Sequence, residues 1–225
     1  MLIAEEYALL AREEDSGKVK VSGPHLRMAL CGALLIDLVL RERISVTPHD
    51  LPWRERDRIE VLLDSSTEDR ILDLALAEAV KQAGHKPKDV ILKWNNGRVG
   101  KLLVEEVMTR LVTSGIVGRE RHTVMGVINV DHFPEVDPAP EREVRQRVDA
   151  ALMGGEPSAR TAILISLLSA TDLLTKVISE ETDKRTARKR AKEIAATEWT
   201  GRAVKEAISQ ISASVGAAAV IAANA

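Results

Sequence analysis

The sequence predicts a mainly α-helical domain, and three observations carry that prediction. Leu30 to Ile44 opens as an apolar run that carries a single acid, Asp37, before Arg41, Glu42 and Arg43 end it, and Arg160 to Ile178 is a second run of similar character. Helices apolar on nearly every side must lie at the centre of a domain. Hydrophobic residues make up 45% of the 225 residues, enough for a sizeable core. Aromatics reach only 2%, so Ala, Leu, Val and Ile supply the apolar volume, a palette that suits close helix packing rather than a β-sandwich. We therefore read 1–225 as a single globular domain with two buried central helices, 26–43 and 160–178, surrounding amphipathic helices and a protruding β-hairpin near 116–131.

Taken in order, LIAEEYALLAREEDSGKVKV near the start reads as helix, glycine turn and strand. The first central helix leaves its apolar run through Arg41 and Arg43, and its buried Asp37 calls for a neutralising partner, Arg41 one turn away or Arg160. Between Thr47 and Asp64, Pro48, Pro52 and many charges precede Ile59, Val61, Leu62 and Leu63, the pattern of an exposed loop and a short strand. Ser65 to Gly84 reads as helix: Ser65 and Glu68 have capping-box spacing, a stripe runs through Ile71, Leu72, Ala75, Leu76 and Val80, and Gly84 closes it. Lys101 to Thr113 sets Leu103, Val107 and Leu111 against Glu105, Glu106 and Arg110, a one-sided helix that Gly115 ends. Two β-prone runs, Ile116–Gly118 and Thr123–Val130, then flank Arg119 to His122 as a hairpin. The segment Phe133 to Pro140 links to a helix over Glu141–Met153. Trp53, Trp94 and Trp199 are far apart and read as packing residues.

Composition excludes several functions. A net charge of −2 gives no whole-molecule attraction for nucleic acid or an anionic membrane, so such binding needs a local patch. The one cysteine, Cys31, lies in the apolar helix, leaving no disulfide framework and no metal spacing, as suits a reducing compartment. Glu5 and Glu6 stand where a secretory leader would be basic, and SVGAAAVIAANA near the end is apolar for only about nine residues, short of the ~20 that span a bilayer. The expected location is cytoplasmic, with any membrane contact peripheral. Asn95 to Lys101 opens a helix with exposed amides, but two residues separate Gly97 from Gly100 and Leu102 replaces the magnesium-binding hydroxyl of a nucleotide loop. His122, Asp131 and His132 form a nominal metal set without closed geometry. The basic run Arg185 to Lys192 is flanked by Glu180, Glu181, Asp183 and Glu193 and has no interleaved aromatics, so it reads as a solvated face rather than a nucleic-acid surface. No Ser/His/Asp or Cys/His arrangement is legible, and we expect no enzyme, no cofactor and no metal.

The opening segment, the helix LCGALLIDLVLRERI, ILDLALAEAV at 71–80, LLVEEVMTRLVTSGIV at 102–117, VMGVINVDHFP at 124–134 and RTAILISLLSATDLLTKVI at 160–178 resemble, in that order, the Golgi phosphoprotein 3 family. The resemblance implies a peripheral lipid-binding adaptor with a pocket for phosphatidylinositol 4-phosphate. In the family that pocket uses a tryptophan before the first buried helix, an arginine at that helix's start and two arginines on the later helix. Carried over by position these fall on Ser22, Cys31, Lys101 and Val104, so only Lys101 keeps a positive charge. Arg27 lies four residues before Cys31 on the same helical face, Arg98 lies three before Lys101, and His25 adds a donor. The headgroup candidates are therefore Arg27, Arg98, Lys101 and His25. Val124, Met125, Val127 and Ile128 resemble the family's membrane and oligomer contact element. Expected partners are anionic phospholipid headgroups, membrane-protein tails and further copies of the chain, without nucleic acid. Eukaryotic members carry a basic extension before the domain; its absence here, with the Ala/Val/Arg-rich composition, suggests a prokaryotic member that meets a different lipid. The alternative is a soluble interaction or scaffolding protein that kept the fold and lost lipid recognition.

Overall fold

The structure is a computed structural model that describes residues 1–13, 16–124, 128–179, 182–197 and 202–223. Its axis is α2, Gly23–Leu40, capped by the Ser22 hydroxyl, which accepts from the His25 amide, and started by Pro24, whose missing N–H costs nothing in a first turn. Every residue from Met28 to Val39 is buried. α2 is long and apolar enough to cross a membrane, yet 72% of that window is covered by the rest of the protein, which makes it a core helix. α1 (Ile3–Leu10), α4 (Pro87–Asn96), α5 (Arg98–Thr113) and α10 (Arg202–Ala223) pack around it. Gly32 permits the closest of these approaches: a Cβ there would stand 2.1 Å from Val215 Cγ2 of α10. The remaining helices are α3 (Arg70–Val80), α6 (Ala139–Leu152), α7 (Ala159–Ala170), α8 (Leu174–Val177) and α9 (Lys184–Ala196). Two antiparallel hairpins complete a mainly α, single compact domain: β1 (Ile44–Val46) with β2 (Ile59–Val61), and β3 (Glu120–Val124) with β4 (Ile128–His132).

Several elements differ from the sequence expectation for identifiable reasons. The second central run is broken rather than continuous: α7 ends at Thr171, Asp172 turns left-handed at φ +53°, and α8 resumes at Leu174. The Thr171 hydroxyl donates back to the Leu167 carbonyl at 3.0 Å and accepts from Tyr7 at 2.9 Å, so the break is a joint onto α1. The capping box at Ser65 and Glu68 does not form. Asp69 is the cap instead, accepting from the Ile71 and Leu72 amides, and α3 starts at Arg70. α4 and most of α10 have no counterpart in the sequence reading.

The second hairpin is shifted along the chain. Glu120 to His122, placed between the strands by sequence, form most of β3, with Arg121 opposite Asp131. These residues are exposed, so no buried face writes the register into the hydrophobic pattern. Trp53 is also corrected: it is 66% exposed on the β1–β2 loop, with the Arg54 guanidinium 5.0 Å over its ring. Trp94 is buried as expected, and Trp199 lies outside the described residues.

Candidate functional site

The joint between α4 and α5 brings together three of the four headgroup candidates' elements. Gly97 ends one helix and starts the next in extended backbone, its amide donating to the Lys93 and Trp94 carbonyls. It has no side chain with which to cap α5, and no acid stands in that helix's first turn. The orphan amides and the positive end of the helix dipole therefore face outward together. Arg98 and Lys101, one turn apart on this same opening, are exposed and form no ion pair with any described residue.

Arg27 reaches the joint from α2. Its Nη1 donates to the Asn95 carbonyl at 2.8 Å, satisfying one of the last carbonyls of α4. A Cβ at Gly100 would lie 2.9 Å from Arg27 Cδ and 2.5 Å from the Trp94 carbonyl oxygen, so a glycine is required for the arginine stem and the α4 backbone to pass. Arg27 is half-buried and positioned as a strut, while Arg98 and Lys101 carry the solvent-facing charge. His25, two residues from Arg27 and so on nearly the opposite side of α2, bonds through Nδ1 to the Ser22 hydroxyl and lines a separate groove with Asp172, Lys176 and Val220.

The carried-over family positions behave differently from one another. Cys31 is fully buried and burial pushes its thiol up to about 12, against the opposing pull of Arg27. Val104 packs half-buried against the core, and Ser22 is spent as the cap of α2. Lys101 alone presents a charge. Of the contact residues, Val124 and Ile128 pair with each other as the last and first residues of β3 and β4, and Met125 and Val127 lie outside the described residues.

Of the two expected partners of Asp37, Arg160 acts on it only through its charge and Arg41 bonds elsewhere, while backbone amides make the contacts. The carboxylate accepts from the Ile3 and Ala4 amides at 3.0 and 3.2 Å, capping α1 from a neighbouring helix, while Arg41 bonds to the Thr67 carbonyl. Burial pushes the carboxyl up to about 7 against those two amide bonds and the more distant charge of Arg160. Around it Glu5 pairs with Arg110 at 2.7 Å, and Glu6 Oε1 accepts from both Arg147 and Arg160 at 2.9 and 2.8 Å. Asp131 of the nominal metal set is engaged by Arg121 at 3.1 Å, and no group of ligands for a metal ion occurs among the described residues.

This layout, a buried apolar α2 followed by a cation-bearing α4–α5 joint and a polar-edged hairpin, accompanies a family-model match over residues 3–211 to Golgi phosphoprotein 3 (GPP34). The chain belongs to that family. No curated protein matches it. Within the Golgi phosphoprotein 3 fold, then, Arg27 reaches the α4–α5 joint at which α5 opens with Arg98 and Lys101, and His25 lines a separate groove.

Proposed function

We propose that this protein is a peripheral binder of anionic phospholipid, of phosphatidylinositol 4-phosphate-like headgroup chemistry, that works as a non-enzymatic adaptor for membrane-protein tails. Membership in the Golgi phosphoprotein 3 family supports an adaptor of this kind. The observation that carries the reading is the pair Arg98 and Lys101, exposed on the uncapped first turn of α5 and in no ion pair with any described residue. A phosphate seated there meets orphan amides, the helix dipole and two cations at once. Arg27 supports the joint and adds its charge from below.

Two cations near an anionic leaflet contribute about 1 kcal/mol each, too little for stable attachment alone. The hairpin supplies the second contribution in this reading: Val124, Met125, Val127 and Ile128 insert at the membrane or meet a second copy, and each such side chain is worth roughly 1.5–3 kcal/mol when fully buried. Several weak sites on one oligomer then bind a surface better than one. The setting is the cytoplasmic face of a prokaryotic membrane, where the lipid differs from the Golgi one.

Flotation of the full chain with vesicles tests this. Recovery should need anionic lipid and fall as salt screens charges over ~8–10 Å. Replacing Met125 and Ile128 with Asp should lower recovery or self-association with helical content intact. The second reading, a soluble scaffold that lost lipid recognition, draws on Cys31 and Val104 standing where the family has arginines. Equal recovery on neutral and anionic vesicles would decide for it.

A further inference from the structure

A concavity of about 420 Å³ opens between α7, α8, α9 and α10, on elements other than those of the α4–α5 joint. Its floor is apolar, with Leu174, Ala191 and Ile208 all buried. Its rim is cationic: Arg188, Lys192 and Lys205 stand against a single acid, Asp172. Arg188 and Lys192 form no ion pair with any described residue, and Lys205 gives one of its donors to the Ala196 carbonyl at 2.7 Å, keeping others.

We propose that this cavity binds a single-chain amphiphile with an anionic head, its alkyl chain on the Leu174–Ile208 floor and its head among Arg188, Lys192 and Lys205. The volume falls in the range of ligand pockets, and the arrangement of apolar wall and few convergent polar groups is the usual one. The excess of cations selects an anion over a neutral head. α9 itself carries six cations and one acid between Lys184 and Ala196, which extends the same field over the mouth.

The test is calorimetric titration of the full chain with dodecyl phosphate below its aggregation threshold. Binding should saturate, with inorganic phosphate failing to displace the probe and dodecyl maltoside, the same chain on a neutral head, binding far more weakly. Replacing Arg188 and Lys192 with Ala, both exposed, should weaken binding by about tenfold for each charge-assisted bond lost. Ala195→Trp, at an exposed lining position, should block entry. The proposal is overturned by an absence of saturation, by inorganic phosphate displacing the probe, or by wild-type affinity in the Arg188/Lys192 variant or in Ala195→Trp.

Discussion

Arg110, Arg147 and Arg160 surround the N-terminal helix and each ends on a carboxylate, whereas Arg98 and Lys101 at the α4–α5 joint and Arg188 and Lys192 on α9 end in solvent. The first group meets Glu5 and Glu6, acids that α1 draws into the core at 5% and 2% exposure. Buried acids require partners, because an uncompensated charge there costs several kcal/mol. The second group has no such obligation: exposed cations gain little from any pairing within the protein, and removing them costs the fold little. Cations that hold α1 in place are thus committed to structure, whereas those at the open helix start and the cavity form no ion pair with any described residue.

The largest expected effect comes from breaking the committed group. Glu6→Ala leaves Arg147 and Arg160 facing a gap and should destabilise the fold by about 3–5 kcal/mol in urea unfolding, the range for a buried pair that loses one member. A loss under about 1 kcal/mol would show that the arginines rehydrate and that the two regions do not differ in kind.

Asp37 sharpens the comparison through pH. Its folded carboxyl lies near 7, above its ordinary 3.8, so the stability linked to it is complete below about pH 4 and is lost as pH rises through 7. At 1.36 kcal/mol per unit the upper bound is about 4 kcal/mol. Denaturation of the wild type and of Asp37→Asn at several pH values should give curves that converge or cross across this window. Parallel curves would mean that the amides of Ile3 and Ala4 stabilise the ionised form as well as water does.

At the joint, Arg98→Ala with Lys101→Ala should cost about 2 kcal/mol of binding to anionic vesicles, roughly 30-fold. Stability should stay within about 0.5 kcal/mol of wild type. A double variant that unfolds would place these cations in the structural group after all. The smallest effect belongs to Trp53→Ala: at 66% exposure on a loop, the ring should contribute no more than about 0.5 kcal/mol to stability, as read from the thermal midpoint.

The identity of the central helix, the α5 stripe and the helix after Pro138 follow from sequence because each is written in local periodicity, which needs no knowledge of what lies opposite. Even the cations of the joint were legible, since Arg98 and Lys101 share a face by spacing alone. Partnership is another matter. That Asp37 caps α1 rather than pairing with Arg41 depends on which helix end arrives beside it, and nothing in either segment encodes the meeting. The same holds for Arg27, whose Nη1 meets the Asn95 carbonyl of a helix end that its own segment does not specify. The cavity between α7 and α10 left only a faint trace, the serine pairs 166/169 and 209/212 at one-turn spacing. A void is a property of surfaces from four helices that fail to fill the space between them, so the sequence determined which residues are apolar and which are charged, and only tertiary packing decided which charges are neutralised and where the space remains.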